Sequence, residues 1–359
     1  MKKAKRLLAV LLVLAMSASL AACGGKEEPK AEQGAQGEAS QEDEAQKLEG
    51  TLKVIATSEN YGPLFEKFTE EVGPEVEFIS MSSGEVLSKL KAEGGTPAAD
   101  LWFGGGIDAF MDAKDNGLLE KVDFDAAKDL AAEYKDNENY WFSKGVTVVG
   151  FIVNNEILSE KGLEAPKSWD DLTKEEYRGE ILMSNPAISG TNYAVVNALL
   201  QAKGDAGWDY FNKLNENITY YAKRGADPST KVSAGEAGIG ITYIDGTLDE
   251  LKETSDVSII YPTDGMPYVP EGVAAFANGE NTEAAKAFIE WFYSDDENMK
   301  QLAEIDQKNT CLLVKPGIEG LELDFDQSKL MEEDLTLFGK ERADILEQWN
   351  TLIGDKGEE

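Results

Sequence analysis

Residues 51–106 read TLKVIATSENYGPLFEKFTEEVGPEVEFISMSSGEVLSKLKAEGGTPAADLWFGGG, and the fold class turns on them. Thr51–Glu59 is a short β-rich run that ends in polar residues. The next stretch, Tyr61–Gly73, sets Leu64, Phe65 and Phe68 on one helical face and stops at Gly73-Pro74. Glu75–Ser83 is a second strand. Ser82 then opens Ser-x-x-Glu, the capping-box signature, ahead of a helix over 85–95. Ala98–Gly106 is a third strand and ends in three glycines. Strand, helix, strand, helix, strand predicts an open, mainly parallel α/β sheet with helices on both faces.

The alternation changes at Ser143–Leu158, a long β-branched run with Gly150 in its middle, and resumes beyond it. Strands are predicted at 179–186, 218–223 and 238–245, with more between 255 and 276. A helix follows Ser189, its apolar positions Tyr193, Val196, Leu199 and Leu200 at three-and-four spacing. A short helix falls near 232–236, and 281–305 is strongly amphipathic. These features predict two α/β lobes joined by extended crossover strands, with a cleft where strand ends meet helix starts. The first lobe takes 50–148, the second 149–262, and 263–359 returns to the first lobe and adds the C-terminal helices.

Ahead of this domain, MKKAKR carries four positive charges and precedes an apolar run of 15 residues, LLAVLLVLAMSASLA. That run is too short to span a bilayer and fits a secretory signal over 1–22. It stops at Leu20-Ala21-Ala22-Cys23-Gly24, which resembles a bacterial lipobox and marks Cys23 for acylation. Residues 24–49 hold almost no large apolar side chain and read as a disordered acidic tether. About 26 residues of this kind reach roughly 30 Å. Removing Lys2, Lys3, Lys5 and Arg6 leaves 30 basic residues against 68 acidic ones, which excludes nucleic acid as a partner. With no histidine in the chain, Ser-His-Asp catalysis, Cys-His catalysis and His-ligated metal sites are excluded together. Cys311, beside an apolar stretch, is expected to be an inert core thiol.

Three loops share one chemistry. Thr57-Ser58, Ser82-Ser83-Gly84 and Ser189-Gly190-Thr191 each follow a strand, and the last two open a helix. Small hydroxyl residues and glycine at such points turn free N–H groups and the positive helix end toward an anion. A single loop of this kind is better explained as a cap; several at strand ends in both lobes point to a site. Gly104-Gly105-Gly106 lacks the G-x-G-x-x-G spacing and reads as a close approach to backbone or a tight turn. Arg224 and Lys231 are cations able to meet a phosphate or carboxylate, and Tyr243 and Asp245 stand just past an apolar strand. Tyr61, Trp102, Trp141 and Tyr193 can stack on a ring but are better accounted for as core. Ser88-x-x-Lys91 matches a nucleophile motif only by chance, and Lys114 spoils a calcium-like loop at Asp112.

The runs from Pro63 to Gly106, SNPAISGTNY from Ser184, KVSAGEAGIGITYIDG from Lys231 and PEGVAAFANGENTEAAKAFIEWFYSDDE from Pro270 resemble the solute-binding proteins of bacterial ABC importers. The resemblance is to the branch that holds ferric-iron, hexose-phosphate, phosphonate and thiamine binders. It implies a type II-like periplasmic-binding-protein fold with a two-strand hinge. It also implies a monomer without cofactor or catalytic residue, lipid-anchored on the extracytoplasmic face, that delivers a small solute to permease subunits. The ligand-binding candidates are then Ser58, Ser82, Ser83, Gly105, Gly106, Ser189, Gly190, Thr191, Lys231, Tyr243 and Asp245, with no metal ligand among them. Ferric binders of the branch use adjacent tyrosines, often with a histidine and a glutamate. Here the pair reads Tyr243-Ile244, glycines stand where the glutamate belongs, and histidine is absent. Anion capture is therefore the expectation. Ferric iron with a synergistic anion, thiamine or its phosphate, a sensing role and a secreted hydrolase remain the alternatives.

Overall fold

The computed structural model describes residues 47–356. The signal segment, Cys23 and nearly all of the tether lie outside the described residues. Among the described residues the strands are β1 Thr51–Ala56, β2 Glu75–Ser80, β3 Leu101–Gly106, β4 Phe142–Asn154, β5 Ile181–Ser184, β6 Ile218–Ala222, β7 Ile239–Ile244, β8 Val257–Ile260 and β9 Tyr268–Ala275. The helices of the first part are α1 Gly62–Val72, α2 Ser83–Ala92, α3 Ile107–Asp115 and α4 Asn155–Lys161. The middle supplies α5 Gly190–Lys203, α6 Gly207–Asn217, α7 Asp227–Ser233 and α8 Thr247–Thr254. The last part contributes α9 Thr282–Ser294, α10 Asp296–Asp306, α11 Cys311–Val314, α12 Leu337–Lys340 and α13 Arg342–Ile353.

The strands form one sheet in the order β2-β1-β3-β9-β4-β7-β5-β6, with β8 also paired to β4. Its flanks are parallel, as the βαβ alternation predicts: β1 with β2 and β3, and β5 with β6 and β7. Its middle is antiparallel, because β4 and β9 run against their neighbours. The sheet is therefore mixed rather than mainly parallel. β4 is the long β-branched run, buried along its whole length, and it pairs first with β9 and then with β7 and β8. It thus belongs to both halves.

Alternating side chains along the strands sort into three cores. On one face a continuous core runs under both halves, joining Ile55, Trp102 and Ala274 to Val149, Phe151, Ile181 and Ile241. The other face carries two separate cores. One packs Leu52, Val54, Phe103 and Val273 against α1 and α9 through Phe65, Phe68 and Phe288. The other joins Ile152 and Leu182 to Val232 and Leu248. Trp102, Trp141 and Tyr193 are buried in the core, and so is Cys311.

Three local expectations shift. The helix after Ser189 is not amphipathic: Asn192 through Leu199 are all buried, because α5 lies inside the continuous core. The stretch 281–305 breaks into α9 and α10 at Asp295, whose carboxylate accepts from the Glu297 N–H at 3.0 Å and caps the second helix. The short helix near 232–236 instead occupies Asp227–Ser233. Pro228 suits a first helical turn, and Asp227 accepts from the N–H groups of Lys223 and Arg224. Among the described residues no helix is long and apolar enough to cross a membrane.

Candidate functional site

Three helix starts meet at one place. α2 begins after Ser82, whose N–H donates to the Glu85 carboxylate at 2.9 Å and closes a capping box. α5 begins after Ser189, whose hydroxyl accepts from the Asn192 N–H at 3.4 Å. α3 begins after Gly106 with no side-chain cap. Every helix start leaves N–H groups without partners inside the helix, and the backbone dipoles give it a partial positive charge.

Glycines let the three starts converge. Gly104 and Gly105 have φ of 94° and 98°, left-handed values that glycine adopts without strain. They break the β3/β9 register between Phe103 and Gly106 and turn the chain into α3. A Cβ on Gly105 would stand 2.7 Å from the Ser83 Cβ. A Cβ on Gly190 would stand 2.8 Å from the Ser83 Oγ and 2.9 Å from the Gly106 nitrogen. The Gly84 N–H donates to the Ile188 carbonyl at 3.2 Å, tying α2 to the loop before α5.

These groups line a cavity of about 390 Å³, within the range of small-molecule sites. Around it stand Ser58, Ser82, Ser83, Gly105, Gly106, Ser189, Gly190, Thr191, Tyr243 and Asp245, with Thr57, Asn60, Tyr61 and Arg224 beside them. Ser58 also caps a short turn through the Asn60 N–H, at 3.1 Å. Arg224 is held by its own N–H on Asp227 at 2.7 Å, and its guanidinium donates to the Ser80 hydroxyl at 3.4 Å.

Lys231 is not part of the cavity lining. In α7 as it forms, Lys231 extends toward Glu236, 3.5 Å away, and over the Tyr220 ring. The Asp227-Pro228 start signal places Lys231 inside α7.

Beside the glycine loop the cavity wall is charged: Glu271, the β9 partner of Gly106, lines it with Asp306 and Lys308, and these groups lie outside the expected set. Fully buried Lys144 donates to Asp306 at 2.6 Å and to Glu271 at 3.2 Å. Lys308 donates to the same Glu271 oxygen at 2.8 Å and to the Thr147 hydroxyl at 3.1 Å. Burial alone would raise the Glu271 carboxyl, but Lys144 and Lys308 outweigh it and hold the group well below the usual carboxylate range. Burial likewise works against the Lys144 ammonium, yet Asp306 and Glu271 leave its pKa well above the ordinary lysine value. The Lys308 charge acts on Asp245 without outweighing its burial. Burial pushes it up to about 6, against the Thr247 N–H and hydroxyl that it accepts from. Burial also raises the Tyr243 phenol, which stays a neutral donor.

A second tie crosses the cavity at this end. Gln307, with φ of 49°, accepts from the Gly246 N–H at 2.9 Å and donates to Glu250 at 2.6 Å. Glu271 and Lys144 each interrupt an apolar strand with a charge, a trace visible in the sequence beside Tyr243 and Asp245. Nothing local shows that they meet Asp306 and Lys308.

A family model described as bacterial extracellular solute-binding protein matches residues 63–310. An uncharacterized protein of Haemophilus influenzae is 28% identical over 292 residues, covering 79% of this chain and 84% of its own. A probable ABC transporter periplasmic-binding protein of Sinorhizobium fredii is 30% identical over 236 residues, 62% of this chain and 64% of that one. The structure of the periplasmic binding protein AfuA from Actinobacillus pleuropneumoniae, with exogenous fructose-6-phosphate bound, superposes with a TM-score of 0.76 at 27% identity. That alignment covers 85% of this chain and 98% of AfuA.

Proposed function

The chain belongs to the bacterial extracellular solute-binding proteins, and we propose that it captures a small phosphate- or phosphonate-bearing solute and hands it to the membrane subunits of an ABC importer. The observation that carries this reading is the convergence of the α2, α3 and α5 starts, with Ser83, Gly106, Ser189, Gly190 and Thr191, on one cavity. Uncharged N–H and hydroxyl donors at three positive helix ends suit a compact oxyanion. The charged end, with Tyr243, Asp245, Glu271 and Lys308, suits the hydroxyl or amino groups of the rest of the solute. The fructose-6-phosphate in the AfuA structure supports the same class.

Capture works by population shift, since only the closed form brings both walls to the ligand. In this reading Cys23 carries the lipid, residues 24–49 are the tether, and the domain works as a monomer on the extracytoplasmic face without catalysing a reaction. Labelling with a fatty-acid analogue, abolished by Cys23→Ala, checks the anchor.

A thermal-shift panel checks the ligand class: fructose 6-phosphate, glucose 6-phosphate, aminoethylphosphonate, inorganic phosphate, thiamine and its phosphates, unphosphorylated sugars and ferric citrate. A ligand at about a hundred times its dissociation constant adds about 2.7 kcal/mol. A response to phosphorylated or phosphonate compounds alone is expected. A response to ferric citrate alone, with a visible phenolate-to-iron band, replaces this reading with ferric binding at Tyr243. Thiamine without phosphate acting alone replaces it with thiamine capture. Among the described residues, no group of three or more Cys, Asp or Glu side chains stands close enough to hold a metal ion.

A further inference from the structure

We propose that Arg342 acts on the anion end of the cleft through Asp108, as a positioning residue that keeps the α3 start electropositive; this rests on the anion reading above. Asp108 stands in the first turn of α3, only 1% exposed. Its Oδ2 accepts from the Arg342 Nε at 2.8 Å, and its buried Oδ1 has no hydrogen-bond partner. That second oxygen reaches back to the cleft wall: a Cβ on Gly106 would stand 2.4 Å from it. A bare carboxylate here would cancel the partial positive charge of the α3 end and repel a phosphate beside it. The Arg342 guanidinium removes that conflict by pairing with it.

The arginine is held in place from both sides of the anion end. It is 8% exposed and lies over the Tyr193 ring of α5, 5.6 Å from its centre. The Tyr193 hydroxyl donates to the Phe338 carbonyl at 2.8 Å. Gly339 rests on Met111 of α3 so closely that a Cβ there would be 2.4 Å from the Met111 Cβ. The α12–α13 segment is thus fixed to two of the three helices that open on the cavity. It also lies beyond residues 63–310, the stretch that the family model matches.

A thiol placed at the convergence reads this effect without any ligand. In the whole chain carrying Ser83→Cys, the thiolate absorbance is followed against pH, with the spectrum of the unsubstituted chain subtracted. Cys311, buried and pushed up to about 11, stays in that background. Burial raises the Asp108 carboxyl even beside the arginine, so Asp108→Asn is expected to lower the probe thiol's pKa clearly and Arg342→Gln to raise it by at most about one unit. The double variant should return it near the starting value. Opposite signs at two partners of one ion pair are outside the reach of a merely structural role. A probe pKa unmoved by both substitutions overturns the proposal. Where Arg342→Gln fails to fold, Asp108→Asn alone decides through the direction of its shift.

Isothermal titration with fructose 6-phosphate and with inorganic phosphate gives the second readout, in the Ser83 background. Arg342→Gln should weaken binding about tenfold or more, and adding Asp108→Asn should recover most of that loss. Equal loss in the single and double variants overturns the proposal. Absence of binding by the unsubstituted chain defeats the anion reading, and the thiol titration still decides this inference.

Discussion

On one part of the cleft wall, Ser82, Ser83, Gly106, Ser189 and Gly190 present neutral N–H and hydroxyl groups from three helix starts. On the adjoining part, Asp306, Glu271 and Lys308, with Lys144 buried behind them, form a chain of full charges linked through contacts of 2.6–3.2 Å. The neutral end draws its polarity from the backbone, so it needs small side chains and close approach more than any one functional group. The charged end draws its polarity from side chains that neutralise one another. Each charge there is stable only while its partners remain. One end is robust to loss of a donor and sensitive to added bulk; the other is the reverse.

The severest test of that contrast is Lys144→Met. It takes the Lys144 ammonium from Asp306 and leaves Glu271 paired with Lys308, at an expected cost of about 3–5 kcal/mol in urea unfolding. A loss below about 1 kcal/mol would mean that water reaches these carboxylates, and the contrast would fail.

Asp245 gives the next largest effect and carries a pH signature. The folded chain keeps its proton up to about pH 6, while the unfolded chain releases it near about pH 4. Between those values the folded state binds the extra proton, so this contribution is complete below about pH 4 and is lost as pH rises through about 6. The stability of the unsubstituted chain relative to Asp245→Asn should therefore fall by roughly 2 kcal/mol from about pH 4 to about pH 7. A flat difference would place Asp245 among the compensated charges.

Gly190→Ala sharpens the other side. Its added carbon meets Ser83 and Gly106 at under 3 Å, so the walls must part. Affinity for fructose 6-phosphate should drop about tenfold, or about 1.4 kcal/mol, with little change in the urea midpoint. Ser82→Ala removes one cap and should cost about 1 kcal/mol of stability; a larger effect would mean that the neutral end depends on individual side chains after all.

The same contrast explains what the sequence made legible. The α2, α3 and α5 starts were readable because caps, glycines and strand ends act over three or four residues, and those signals lie together in the chain. The parallel flanks of the sheet followed from the same local alternation. Lys144, Glu271, Asp306 and Lys308 are brought together by β4 and β9 lying side by side and by the turn after α10. No local pattern encodes that meeting. Lys231 shows the complementary limit: the sequence reading put the short helix near 232–236, whereas α7 spans Asp227–Ser233 and takes Lys231 into it.

The shared strand β4 has a consequence for how such a protein can be recombined. It pairs with β9 along its first part and with β7 and β8 along its second, and the cavity draws on residues from Thr57 to Lys308. No contiguous block of the chain therefore holds the binding preference, and a crossover within β4 or β9 would sever pairings on both sides of the splice. Chimeras between relatives should inherit a parent's ligand only when substitutions are scattered along the chain. For this architecture, preference passes between sequences as a mosaic and not as a cassette.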